Sequence, residues 1–194
     1  MSVYALVPQK RLADAKSRLG AVLAVDERAA LSRRLLAHVC YAVRAVAGVE
    51  GLTIVTPDLA VREWARRWGC ETVVDPERGL NPALAHALRL PRCDGRDVLI
   101  LAADLPWVRP SDVAAVLAAG GAGRFVLAPS KDGLGTGALL VPRGARFIPE
   151  FGAGSRAAHR RAAEGLGLEV VELVRPGLAF DLDGPEDLAA LHAG

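Results

Sequence analysis

Val98-Leu-Ile-Leu-Ala-Ala-Asp104-Leu-Pro106 reads as a short strand, apolar on both faces, that stops at a carboxylate and a turn-forming proline. Strands buried on both sides belong to parallel sheets covered by helices. Similar short runs recur along the chain at Val3–Val7, Leu52–Thr56, Glu71–Val74, Arg124–Ala128, Gly137–Val141 and Leu168–Val174, and with Val98–Ala103 they form the expected strand set. Amphipathic stretches separate them, the pattern of an α/β protein with a Rossmann-like, mostly parallel sheet and helices on both faces.

The helices follow from spacing and caps. Leu31, Leu35, Val39, Val43 and Val46 recur one helical turn apart behind Asp26, which is placed to cap that helix. Further helices are expected after Pro57 to near Gly69, at Pro82–Leu90, Ser111–Ala119 and Ser155–Gly165, and from Pro185 to the end.

The bulk numbers narrow the function classes. A chain of 194 residues, 52% of them apolar, suits one domain with a full core, expected over residues 1–194. A formal charge of +2 gives no global reason to bind nucleic acid or a membrane surface, so any anion site must be local. Cys40, Cys70 and Cys93 are odd in number and widely spaced, which predicts buried reduced thiols rather than disulfides or structural zinc. The opening apolar run reaches Lys10 too soon for a signal segment or membrane span, and a cytoplasmic protein is expected.

Ligands of open parallel sheets gather at the strands' carboxyl edge. Four sequence features fall at such places. The loop Pro8-Gln-Lys-Arg-Leu-Ala-Asp-Ala-Lys-Ser-Arg18 holds Lys10 and Lys16, two of the chain's three lysines, and compact ammonium charges suit phosphate. A solvated basic loop is the plainer alternative. Asp104, at the mouth of its strand, needs a counter-charge or a metal, although it also reads as a turn cap before Pro106. Asp181 and Asp183 alternate and project to one side if extended, so their repulsion favours a cation between them. Asp183 reads equally well as the N-cap of a capping-box-like helix start with Glu186. The turns Asp132-Gly-Leu-Gly-Thr-Gly137 and Phe151-Gly-Ala-Gly-Ser155 let backbone N–H groups approach a phosphate, with Ser155 as both N-cap and ligand. No Walker sequence occurs, and no Gly-x-Gly-x-x-Gly follows the first strand. His159 reads as an ordinary helix residue, and Trp64 and Trp68 as a packing pair.

Three candidate metal carboxylates, a lysine loop and two phosphate-grade turns are equipment for phosphoryl or nucleotidyl transfer. Val7-Pro-Gln-Lys with Ala15-Lys-Ser-Arg-Leu19, Asp104-Leu-Pro, Gly135-Thr-Gly, Phe151-Gly-x-Gly-Ser-x-x-x-His159 and Asp181-Leu-Asp-x-Pro-Glu-Asp-Leu188 together resemble the 2-phospho-L-lactate guanylyltransferase family. The resemblance implies a nucleotide-diphospho-sugar transferase type fold and a step in deazaflavin coenzyme 420 biosynthesis. GTP would react with phosphoenolpyruvate, 2-phospho-L-lactate or a similar phosphorylated three-carbon acid, releasing pyrophosphate. Carried over by motif, Asp104, Asp181 and Asp183 would hold Mg²⁺, and Lys16, Thr136, Gly152 and Ser155 would receive the acid. Lys10 joins them from the same loop, Lys16 and Asp104 carry the catalytic expectation, and Asn81 is similar to the family's nucleoside-contacting segment. The Gly-Thr-Gly and Phe-Gly-x-Gly-Ser forms resemble bacterial members, associated with phosphoenolpyruvate. Gln9, Arg11 and Ala138 depart from the family's usual residues and leave the acid open. The oligomeric state is open too, a homodimer included. The rivals are another nucleotidyltransferase of this fold, of molybdenum-cofactor or sugar-phosphate type, and a nucleotide-binding regulatory domain without turnover.

Overall fold

The computed structural model describes residues 2–74 and 79–193. Its strands are β1 (Val3–Pro8), β2 (Val49–Val55), β3 (Glu71–Val73), β4 (Asp97–Leu101), β5 (Arg124–Pro129), β6 (Thr136–Val141) and β7 (Glu169–Glu172). The helices are α1 (Val25–Arg44), α2 (Leu59–Arg67), α3 (Leu80–Ala87), α4 (Pro110–Ala119), α5 (Ser155–Gly165), a single turn α6 (Pro176–Ala179) and α7 (Pro185–Ala193). Every expected strand is present. The last helix was expected to reach the chain's end, but residue 194 lies outside the described residues.

The strands form one sheet in the order β3-β2-β1-β4-β6-β5-β7. β1, β2, β3 and β4 run parallel, β7 is parallel to β5, and β6 is antiparallel to both its neighbours. The reversal has a local cause. Ser130-Lys-Asp-Gly-Leu-Gly135 leaves too little chain between β5 and β6 for a crossover helix, so the two strands make a hairpin.

Alternating side chains divide the core between the sheet's two faces. Val3, Ala5, Val7, Leu99 and Leu101 pack with Leu36, Val39 and Val43 of α1, Val61 of α2 and Val113 and Val116 of α4. Tyr4, Leu6, Ile100, Leu127 and Leu139 face the other way, against Ala83, Leu84 and Ala87 of α3 and Ala163 of α5.

α3 starts at Leu80 rather than Pro82 and α4 at Pro110 rather than Ser111, and two helix caps differ from the sequence reading. α1 begins at Val25, so Asp26 sits inside the first turn, and the Glu27 carboxylate accepts the Ala24 N–H at 2.7 Å. α5 is entered through Gly154 in the left-handed region (φ 70), which makes Ser155 its first residue rather than its cap and releases the Ser155 hydroxyl.

Candidate active site

The topology aims separate stretches of sequence at one sheet edge. β1 ends at Pro8 and β4 at Leu101, and antiparallel β6 starts beside them because Ala138 pairs with Leu101. A cleft of about 490 Å³ opens there, lined by Lys10, Lys16, Asp104, Thr136, Gly152, Ser155, Asp181 and Asp183. All the sequence-selected residues except Asn81 therefore meet in one place.

Asp104 and the Asp181–Asp183 segment are joined by backbone, since the Leu182 N–H donates to the Asp104 carbonyl at 3.0 Å. Burial raises the Asp181 carboxyl above its ordinary value, and the charges of Asp104 and Asp183 push it the same way against the weaker pull of Lys131. A carboxylate so placed lacks a compensating cation. Lys16 supplies part of that charge, its ammonium lying 2.5 Å from Asp104 Oδ2. Arg18 reaches Asp183 at 2.6 Å, an exposed pair.

Among the described residues no three His, Cys, Asp or Glu side chains stand together as a ready-made metal nest. Such a nest is not what Mg²⁺ needs, because that ion commonly takes one or two carboxylates and completes its shell with water and substrate phosphates. The donor set present, Asp104 and Asp181 with Asp183 turned toward Arg18, fits such an ion better than a zinc or calcium cage.

The loop bearing Asp181 and Asp183 is held by a residue that sequence reasoning passed over. Asp187 is buried, and its Oδ2 accepts the N–H groups of Asp183 and Gly184, each at 2.8 Å. Its other oxygen pairs with Lys131. Burial alone would raise the Asp187 carboxyl, but Lys131 and the two backbone donors hold it below its ordinary value. Asp187, not Asp183, thus ties down the α7 start, and the Asp183 carboxylate pairs with Arg18 in the cleft lining. Lys131 also lies 4.7 Å from the centre of the Phe180 ring, which stacks on Trp107 with centroids 4.0 Å apart. The residue preceding Asp181 is therefore clamped between an indole and an ammonium.

Thr136, Ser155 and His159 form one chain of contacts. The Ser155 and Thr136 hydroxyls are 3.1 Å apart, and Thr136 Oγ1 lies 3.1 Å from His159 Nδ1. His159 is fully buried, and burial lowers its pKa to about 4. Gly152 adopts φ 134, a conformation that leaves a side chain no easy place. Asp132 Oδ1 accepts the Leu134 N–H at 2.9 Å, fixing the glycine turn below Thr136.

Asn81, of which a nucleoside contact is expected, bonds to the backbone of Phe151. Its amide donates to the Phe151 carbonyl at 3.0 Å and accepts the Phe151 N–H at 2.7 Å, so it anchors the Phe151-Gly152 turn from α3. Beside it a second, largely apolar pocket of about 290 Å³ is bounded by Pro8, Val55, Pro57, Leu80 and Ala83 and joins the main cleft at Lys10.

Trp64 and Trp68 contact each other with centroids 5.4 Å apart, as expected of a packing pair. The three cysteines are buried and free. No helix of the described residues is long and apolar enough to cross a membrane.

Comparison with known proteins agrees with this geometry. The family described as guanylyl transferase CofC like matches residues 3–193. The phosphoenolpyruvate guanylyltransferase of Rubrobacter xylanophilus is 46% identical, the alignment covering 100% of this chain and 95% of the relative. A 3-phospho-D-glycerate guanylyltransferase of Phenylobacterium zucineum is 39% identical over 93% of this chain and 85% of its own length. Among solved structures, one assigned as a nucleotide-diphospho-sugar transferase from Desulfovibrio desulfuricans superposes with a TM-score of 0.79 at 20% identity, covering 98% of this chain and 87% of that one. A nucleotidyl transferase from Methanothermobacter gives 0.73 at 16% identity, with coverages of 99% and 96%. These two likenesses concern the fold.

Proposed function

Because the chain belongs to the CofC-like guanylyl transferase family, we propose that it transfers GMP from GTP to a phosphorylated three-carbon acid, phosphoenolpyruvate first among them. Pyrophosphate leaves, and the product is an intermediate of deazaflavin coenzyme 420 biosynthesis. The observation that supports the reading is the convergence of Asp104, Asp181, Thr136 and Ser155 on one cleft, with Lys16 paired to Asp104 in its lining.

The chemistry asks for little beyond placement. A phosphate oxygen of the acid attacks the α-phosphorus of GTP in line with the departing pyrophosphate, and that oxygen is already ionised at neutral pH. No protein nucleophile or general base is required. Two anions must be held together, so alignment and charge neutralisation supply most of the rate enhancement. Mg²⁺ bound by Asp104 and Asp181, with Asp183 as a further ligand, would supply neutralisation of the triphosphate. Lys16 lies buried beside Asp104, and its ammonium would serve the phosphates of the two substrates, with Lys10 also in the cleft lining. Thr136 and the Gly152 backbone offer donors for the acid's phosphate and carboxylate, with the Ser155 hydroxyl bonded to Thr136 beside them. The apolar pocket between Pro8, Val55 and Leu80 is the place for the purine, with Asn81 holding the neighbouring turn. The absence of Gly-x-Gly from the first loop sets this chain apart from the molybdenum-cofactor and sugar-phosphate reading.

Incubation with Mg²⁺, GTP and each of phosphoenolpyruvate, 2-phospho-L-lactate and 3-phospho-D-glycerate, followed by mass spectrometry, tests the proposal. The phosphoenolpyruvate adduct of GMP should accumulate fastest. Formation of no guanylylated acid in any arm would overturn the reading, and a preference for phosphoglycerate would reassign the acceptor.

A further inference from the structure

His159 is the buried titratable group that the mechanism above leaves unused, and its surroundings fix its chemical state. Nε2 lies 2.9 Å from the Glu150 backbone nitrogen, which can only donate, so Nε2 carries a lone pair. A neutral imidazole must then bear its hydrogen on Nδ1, which faces Thr136 Oγ1 at 3.1 Å. The rings of Phe147 and Phe151 pack on His159 with centroids 5.7 and 4.7 Å away, and burial depresses its protonation to about pH 4. The imidazole is therefore neutral and in one tautomer through the physiological range.

This tautomer has a directional consequence. Thr136 Oγ1 accepts the Nδ1–H and lies 3.1 Å from the Ser155 hydroxyl, which is placed to donate to it. With its lone pairs engaged, the one hydrogen of Thr136 is left to point away from both partners. We propose that His159 is a positioning residue for the acid subsite: its Nδ1–H, together with the Ser155 hydroxyl, occupies the lone pairs of Thr136 and forces that residue to present its hydroxyl hydrogen to the phosphate or carboxylate of the acceptor. The inference rests on the assignment of this wall to the acid. The same side chain secures the subsite's other part, because Glu150 on Nε2 and Phe151 on Asn81 pin the segment that leads into Gly152.

Two near-isosteric variants separate the ring's two ends. His159→Asn keeps an N–H donor near the Nδ1 position, whereas His159→Gln keeps an acceptor near Nε2 and loses the donor to Thr136. With phosphoenolpyruvate varied at saturating GTP, His159→Gln should raise the KM for the acid about tenfold or more, the scale of one lost hydrogen bond. His159→Asn should stay within about threefold, and the KM for GTP should be unchanged in both. The His159→Gln effect should largely vanish in a Thr136→Val background.

Nitrogen NMR of the unaltered, substrate-free chain should show a neutral Nδ1–H tautomer from pH 7 down to pH 5. An Nε2–H tautomer, a charged ring, or equal increases in the KM of both substrates in both variants would overturn the proposal. If His159→Gln does not fold, the tautomer and His159→Asn still decide the matter. Failure of the unaltered chain to guanylylate any acid would sink the functional reading instead, while the tautomer measurement would still test the hydroxyl arrangement.

Discussion

Lys16 Nζ sits 2.5 Å from Asp104 Oδ2, although the two residues come from the loops after β1 and β4, 88 positions apart. Both line the cleft. Lys16 adopts a left-handed backbone (φ 54), and it is the one non-glycine residue with positive φ among the described residues. Such a conformation costs on the order of 1 kcal/mol and persists where the surroundings enforce it. Lys16 is buried by this turn, whereas Lys10, Arg11, Ser17 and Arg18 of the same loop are exposed.

Truncation of that side chain follows directly. Lys16→Ala should raise the acid concentration needed for half-maximal rate by about tenfold or more, with a smaller effect on GTP, as expected for loss of a charge-assisted contact. Initial rates of pyrophosphate release against acid concentration check it. An unchanged response would remove Lys16 from the acid's site.

Asp187 holds the loop that bears Asp181 and Asp183, so its loss should act at a distance. Asp187→Ala leaves the Asp183 and Gly184 N–H groups without their acceptor. A cost of about 1–3 kcal/mol in urea unfolding is expected, together with a higher divalent-ion requirement for turnover. Wild-type stability in this variant would show that the two bonds contribute nothing net.

His159 predicts how stability depends on pH. The unfolded chain takes up this proton near pH 6.5, whereas the folded chain resists it until about pH 4. Its folded pKa is lowered, so the stabilisation is complete above pH 6.5 and declines as pH falls toward 4. The decline from this group should amount to about 2 kcal/mol between pH 7 and pH 5. Unfolding of wild type and His159→Gln at both values isolates that part, which the variant should lack.

Gly137, the second residue of β6, lies against the backbone of α6. A methyl group built there would stand 1.9 Å from the Leu178 carbonyl oxygen, a main-chain atom that cannot rotate away. Gly137→Ala should therefore cost about 3 kcal/mol or disturb the approach of α6 to β6. A melting temperature within a degree or two of wild type would contradict the packing.

How far the sequence disclosed this arrangement depended on the kind of signal. The run Val98–Ala103 was legible because strands buried on both faces carry an unbroken apolar stretch, and the carboxylate after it marked the sheet's ligand edge. The Asp181–Asp183 alternation was visible for a similar local reason. What escaped were relations that local pattern does not record. The β5–β6 hairpin hid behind glycines read as a phosphate turn, although the short gap between two apolar runs was its signal. Asp187 escaped because Asp183 and Glu186 offered a more familiar capping pattern three residues apart. His159 looked like one more helix residue. Its clue was the four-residue spacing from Ser155, which puts both on one face of α5.

At the centre of the proposed chemistry, Asp104 and Asp181 jointly hold a divalent ion against GTP beside Lys16. The most direct test is Mn²⁺ titration of the chain with GTP and no acid, followed by water-proton relaxation, in wild type, Asp104→Asn and Asp181→Asn. Wild type should give a protein-bound Mn²⁺–GTP signal that either substitution weakens by about tenfold or more. Equal Mn²⁺ affinity in all three would contradict the shared metal site.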